Sequence, residues 1–262
     1  MKEDGKIYVD TSKVSIREIN KSVAKEMIVK YHYSHAWTMC RYALGVYYED
    51  ESSFFGEEKL IGCMVYGYPV GRSAVKSVID ILEKDECLEL TRLFIHDGYG
   101  SNIESFAMSQ SFKWMKQHAP NIKMLLSYAD PEQLHLGGIY QATNWLYQDC
   151  RDIQLMPNYS ISLENPHKWI HSRTVFSKWG SHNLDHLKKE LGKQGYSEFW
   201  RKREAPKHRY IQILGQNKSE KKKLSKMIKH KISPYPKNAE EFLSPIENHK
   251  TLKVESNKFF DI

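Results

Sequence analysis

The stretch Ser127–Tyr147 reads "SYADPEQLHLGGIYQATNWLY" and follows the apolar run Met124-Leu125-Leu126. It therefore opens at the end of a strand, turns through Ala129-Asp130-Pro131, and enters a helical segment that carries Tyr140 and closes on Asn144-Trp145. Strand ends that feed a helix are where α/β folds keep their chemistry. Asn is the best residue after Gly for a left-handed helix C-cap, so Asn144 predicts the end of the helix and Trp145 its return to the core.

Upstream, "CLELTRLFIHD" alternates as a strand, with Leu88, Leu90, Arg92 and Phe94 on one side and Glu89, Thr91, Leu93 and Ile95 on the other. "NIESFAMSQSFKWMKQH" gathers Ile103, Phe106, Ala107, Phe112 and Met115 on a helical face that Pro120 ends. "ALGVYYED" and "KLIGCMVYGYPV" form a hairpin across the polar turn ESSFFGEE, and Ser15–Lys30 reads as a helix leading into "YHYSHAWT". Downstream, Gln154–Leu163 and Lys168–Trp179 read as extended, Ser181–Leu191 as a short capped helix, and "HRYIQILG" as a late strand. The order predicts a mixed α/β sheet with helices on its faces, occupying residues 1–215. A basic, Pro-containing tail, docked or mobile, takes residues 216–262.

At 262 residues with 40% hydrophobic and 12% aromatic content, the chain can bury one generous core. No apolar stretch reaches the roughly 18 residues of a membrane span, and MKEDGKIYVD lacks an apolar signal region. Cys40, Cys63, Cys87 and Cys150 are scattered, as free thiols of a reducing cytoplasm are. The net charge of +7 is uneven: Arg201–Lys231 holds twelve Lys/Arg against Glu204 and Glu220. Such a segment suits a polyanion, most often nucleic acid, or else a solvated surface helix.

The Tyr140, Asn144, Trp145 pattern resembles the last motif of GNAT-fold acyltransferases, in which a helix tyrosine is followed four and five residues later by Gly-Phe. Gln133 then stands where those enzymes often have a cofactor-touching Asn. "HYSH" (32–35), "LIGCMVYGYPVGRS" (60–73), "LELTRLFIHD" with the following "NIES", and "SYADP…GxIYQATNWLY" together resemble the Mom family of phage DNA-modification proteins. The resemblance covers roughly Tyr31–Tyr147, with "PKHRY" and "PYPK" extending it. It implies a GNAT-like fold whose strands Leu88–Ile95 and Met124–Tyr128 run parallel and part at their ends. It also implies conversion of adenine in duplex DNA to an N6-carbamoylmethyl form that resists restriction, in the cytoplasm of a bacterial host.

One departure concerns the donor. The usual acyl-CoA pyrophosphate loop, R/Q-x-x-G-x-G/A, offers bare N–H groups and a helix dipole to phosphate. Its positions here are Tyr99, Asn102 and Glu104, with Ser105 next, so an acyl-CoA-type donor meets a remodelled loop. Carbamoylmethyl is attached through its methylene rather than a carbonyl carbon, which leaves room for another donor, a rearrangement or a redox metal such as iron. His182 and His186 have i, i+4 spacing but lack the Glu of H-E-x-x-H.

Adenine N6 is a poor nucleophile, so its proton must be drawn off as the electrophile arrives. Asp130 can accept from the amine beside Tyr128, or simply cap the turn. Tyr140 and Ser127 supply hydroxyls, Glu89 a carboxylate, and His32 and Tyr33 an acid/base or stacking wall. A flipped adenine also needs a DNA-facing surface. Candidates are Arg41, Arg72, Lys168, Arg173, Arg201, Lys221, Lys222 and Lys223, with Trp37 and Trp169 as wedges. An N-acyltransferase acting on a protein, tRNA or small amine, and a non-catalytic DNA-binding protein, are the competing readings.

Overall fold

The computed structural model describes residues 8–49, 57–71, 73–153 and 158–251. Contacts divide the chain into two units: Met1–Ala129, Gly137–Asp152 and His208–Tyr235 form one, and Asp130–Leu136, Ile153–Lys207 and Pro236–Ile262 the other. The contacts do not divide the chain at residue 215, since residues 208–235 go with the first unit.

The first unit contains β1 (Val14–Glu18), α1 (Lys21–Tyr31), β2 (Tyr42–Glu49), β3 (Glu58–Gly67), β4 (Cys87–Ile95), α2 (Ile103–His118), β5 (Met124–Ala129), α3 (Gly138–Ala142) and β6 (Leu146–Gln148). The short α4 (Cys150–Ile153) follows β6. The second unit contains β7 (Tyr159–Ser162), α5 (Ser172–Trp179), α6 (Leu184–Lys193) and β8 (Glu198–Arg203). The chain then returns to the first unit with β9 (His208–Ile213) and α7 (Lys218–Lys226), and ends in the second with β10 (Ile246–Lys250).

The first unit is built on a seven-stranded sheet ordered β1-β2-β3-β4-β5-β9-β6. The expected hairpin is β2–β3. Leu44, Met64, Tyr66, Leu88 and Leu90 line one face and pack with Ala107, Met108 and Met115 of α2. Alternate residues line the other: Ala43, Cys63 and Val65 meet Ala24 and Ile28 of α1, while Cys87, Met124, Leu126, Ile211 and Ile213 meet Val75, Ile79 and Leu224 of α7. Each fully buried aliphatic side chain contributes about 1.5–3 kcal/mol. Cys40, Cys63 and Cys87 are free thiols, and burial pushes Cys63 up to about 12.

The pairing of β4 with β5 is parallel, as expected, and covers Cys87–Glu89 against Met124–Leu126. Beyond it β4 continues to Ile95 and β5 to Ala129 without pairing to each other, so the strands part. The sheet is the expected mixed α/β sheet.

Three expectations need correction. Ser15–Glu18 is not helical: Val14 and Ile16 alternate along β1, which pairs with β2, and Asn20 accepts Ser22 N–H to start α1 only afterwards. Residues 172–179 are not extended: His171 caps α5, and Gly180 ends it in the left-handed region at φ 77°. Within the basic tail, Lys218–Lys226 is a helix capped by Asn217 and docked through buried Leu224. The alternation in β4 also breaks. Val65 pairs with Arg92 but the next residue, Tyr66, pairs with Leu90, so Thr91 sits in a bulge and its hydroxyl bonds Val65 O at 3.1 Å. The extra residue switches faces: Leu93 and Ile95, not Arg92 and Phe94, join the cluster of Leu88 and Leu90.

In the second unit, β10-β8-β7 form an antiparallel sheet. Its core is Ile161, Val175, Trp179, Leu187, Leu191 and Phe199. Helix α6 is the expected capped helix, with Asn183 accepting from Asp185 and His186 N–H. No helix among the described residues is long and apolar enough to cross a membrane.

Candidate active site at the parting strands

The helix carrying Tyr140 ends as its sequence requires. Asn144 takes φ 57°, Trp145 N–H bonds Tyr140 O at 3.0 Å, and Asn144 N–H bonds Gln141 O at 3.1 Å. These two bonds make a Schellman cap, and Trp145 beyond it is fully buried. At the helix start, Gly137 has φ 69°, and a Cβ there would meet the Tyr210 ring at 2.5 Å. Tyr140 is thus held against Tyr210 and Trp145, at ring separations of 4.9 and 5.2 Å.

The Tyr140 hydroxyl points to the parting of β4 and β5. Ser127 Oγ lies 2.7 Å from it and 2.8 Å from Leu90 O. A carbonyl only accepts, so the single Ser127 proton goes to Leu90 O and Tyr140 donates to Ser127. Burial, with smaller contributions from Tyr33 and Glu89, holds the Tyr140 phenol up at about 12. It stays protonated at neutral pH. Glu89 is half-buried on the sheet face opposite Leu88 and Leu90, and it also helps burial push Tyr128 up to about 12. Ser127, Tyr140, Tyr33 and Glu89 are therefore within electrostatic reach of one another.

Beside this group lies a cavity of about 520 Å³ lined by His32, Tyr33, Leu93, Phe94, Ile95, Ser101, Glu104, Ser105, Gly138, Ile139 and Ala142. The buried His32 accepts Ser34 N–H at Nδ1 (3.1 Å), and its ring lies 4.2 Å from that of the exposed Tyr33. Of the expected donor-binding residues, Ser105 lines the cavity. Tyr99 instead packs on Tyr48, ring to ring at 5.1 Å, and Asn102 Oδ1 accepts Val9 N–H at 2.8 Å. Gly100, at φ 116°, presses on the same segment, where a Cβ would come within 2.3 Å of Val9 N. The loop's close backbone approach is spent on its own chain, and Glu104, an acidic residue, lines the cavity. These residues do not fit a pyrophosphate. Calorimetry with acetyl-CoA is expected to show binding weaker than about −8 kcal/mol, the micromolar level; a micromolar Kd would restore the loop to phosphate.

Asp130, in the second unit, accepts Glu132 N–H at 3.0 Å and ion-pairs with Lys207 at 3.4 Å. It caps the turn Pro131–Gln133, in which Gln133 is exposed. Among the expected DNA contacts, Lys168, Arg173, Lys221, Lys222 and Lys223 are exposed. Arg41 is exposed with its guanidinium over Tyr42 at 4.7 Å. Arg201 is engaged, paired with Glu247 at 3.3 Å and set over Tyr159 at 4.2 Å. Arg72 lies outside the described residues. Trp37 packs against the α1 cluster, and Trp169 lies under Lys202. Among the described residues no three His, Cys, Asp or Glu gather as a metal site. His186 Nε2 is taken by Trp179 O at 2.6 Å.

Sequence reading missed Arg209, counted with the basic run. It is 5% exposed and donates to Gln148 Oε1 and Ser77 Oγ, both at 2.8 Å, from between Tyr128 and Gln148 in the sheet. Its place in "HRYIQI", between strand-forming neighbours, was the available signal.

Comparison with known proteins follows the same residues. The chain is 25% identical over 229 residues to methylcarbamoylase mom of Escherichia phage Mu, covering 87% of this chain and 85% of that protein. Similar solved structures include NAA60 of Arabidopsis thaliana with acetyl-CoA, at 9% identity and TM-score 0.42, covering 76% of this chain and 99% of that one. Spermidine N-acetyltransferase of Vibrio cholerae with CoA and spermine is similar at 8% identity and TM-score 0.39, covering 80% and 98%. The model of the Mom protein family matches residues 13–237, a span that includes the parting strands, the Ser127–Tyr140 pair and the cavity, and the chain belongs to that family.

Proposed function

We propose that this chain is a DNA-modifying transferase that places a carbamoylmethyl-type group on the N6 amine of adenine and so protects the DNA from restriction. Family membership and the methylcarbamoylase relative support this reading. The observation that carries it is the hydroxyl relay Tyr140–Ser127–Leu90 O at the parting of β4 and β5. Forming a carbon–nitrogen bond at N6 releases one N6 proton, and the donor's departing group requires one. In this reading Glu89, within electrostatic reach of Tyr140, takes the first, and Tyr140, protonated at neutral pH, turns its hydroxyl from Ser127 to give the second. His32 and Tyr33 wall the cavity that would hold the donor. The base is reached by flipping it out of the duplex.

Nucleoside mass spectrometry of DNA from bacteria expressing the chain tests the reading: N6-modified adenine is expected, and unmodified DNA from cells with abundant folded protein would overturn it. The parting strands and cavity also suit the second reading, an N-acyltransferase of a protein, tRNA or small amine, which would leave that DNA unmodified.

The exposed lysines of α7 should meet phosphate rather than bases. Changing Lys221, Lys222 and Lys223 to Ala is expected to reduce the slope of log affinity against log salt by about 3, at roughly 0.9 per contact. An unchanged slope would assign these lysines to solvent.

A further inference from the structure

The second unit presents a surface that the site does not use. Helix α5 turns Val175 and Trp179 inward onto Leu187 and Leu191 of α6. Outward it turns Arg173, Thr174, Phe176, Ser177 and Lys178, all exposed, with Phe176 keeping 60% of its surface. The His182 ring, in the turn to α6, lies 5.8 Å from that of Phe176, and Lys178 Nζ sits 4.6 Å over Trp179. The two helices join through Gly180, left-handed at φ 77°, and Asn183, the cap of α6. A lone exposed apolar residue needs no explanation, but this one has particular company. Helix α5 holds no carboxylate, and residues 168–193 carry six Lys/Arg against Asp185 and Glu190. Glu190 is itself paired with Lys193 at 2.7 Å.

An aromatic ring set among cations on a short helix–turn–helix matches a partner that offers negative charge and flat π faces together. A hydrophobic protein partner would not call for the cations, and a bare phosphate surface would not call for the ring.

We propose that the outer face of α5 and its turn into α6 form a contact for duplex DNA, with Arg173 and Lys178 on phosphates and Phe176, backed by His182, stacked on or wedged between bases. The proposal rests on DNA being the substrate, and it adds a second place of contact, separate from α7, with a base-touching side chain.

The test uses the full chain, a short fluorescent duplex, and anisotropy titrations over a range of salt. Phe176→Ala is expected to weaken binding about tenfold, in line with the loss of one stacked base, with little change in salt slope. Arg173→Ala with Lys178→Ala is expected to lower the slope by about 2. All three positions are exposed, and an unchanged melting temperature confirms that the variants fold. Wild-type affinity and slope in every variant would overturn the surface while leaving DNA as the substrate. A wild-type chain that binds no duplex would overturn both readings. If Phe176→Ala turns a dimer into a monomer in sedimentation and leaves DNA affinity intact, the ring belongs to a second copy, and the proposal falls.

Discussion

Tyr140→Phe is expected to lower N6 modification at least a hundredfold per unit of folded protein while leaving DNA affinity nearly unchanged. The substitution removes one hydroxyl and keeps the ring against Trp145 and Tyr210. Ser127 retains Leu90 O, so the packing survives and the cost in stability is about 1 kcal/mol. A proton donor or charge-stabilising hydroxyl is worth a hundredfold or more in rate. Ser127→Ala should act in the same direction, and the double variant should lose little more than either alone, because the two hydroxyls act as one relay. Asp130→Asn is the companion measurement. It keeps an oxygen for Glu132 N–H but removes the charge opposite Lys207. A hundredfold loss would give Asp130 the amine-accepting role expected of it; full activity would leave it a turn cap. Near wild-type modification by Tyr140→Phe would remove the relay from the chemistry.

Trp145→Ala should produce the largest loss of stability, about 3–5 kcal/mol, read as a shift of the urea midpoint at constant slope. The indole is fully buried, contacts Tyr140 and Phe112, and its Nε1 lies 3.2 Å from Met108 Sδ. The neighbouring residue tells cap from core. Asn144→Gly suits φ 57° and should change stability by only a few tenths of a kcal/mol, whereas a β-branched Val there should cost about 1–2 kcal/mol. Equal losses at both positions would mean that the helix end, rather than the buried ring, limits the fold.

What could be read from the sequence was local chemistry. An asparagine after a short helix, and a tyrosine four residues before it, state their own backbone geometry, so the Tyr140–Trp145 turn was legible. The parting of β4 and β5 followed from the family resemblance that this turn helped to carry. What escaped depends on partners elsewhere in the chain. The bulge at Thr91 is a property of two paired strands, and it alone reverses which side Arg92 and Phe94 occupy. Strand β8, "EFWRKR", hides a single apolar anchor, Phe199, among charges and showed no alternation to detect. In α5 the signals were present: His171 and Gly180 bracket Val175 and Trp179 at i, i+4. Arg209 looked like surface charge because charge counting cannot see a neighbour such as Gln148.

Strand β9 sets the order in which this protein can be made. It is the only sheet partner of β6 and the outer partner of β5, among the described residues, yet it follows β5 by almost eighty residues. At ribosomal rates of about 5–20 residues per second, the outer edge of β5 stays bare for several seconds after that strand has emerged. A bare apolar edge is a template for pairing with another nascent chain. Chains stopped short of His208 should therefore collect in aggregates and bind chaperones, while chains that run past Ile213 fold, which makes the ribosome's passage through β9 the commitment point for solubility.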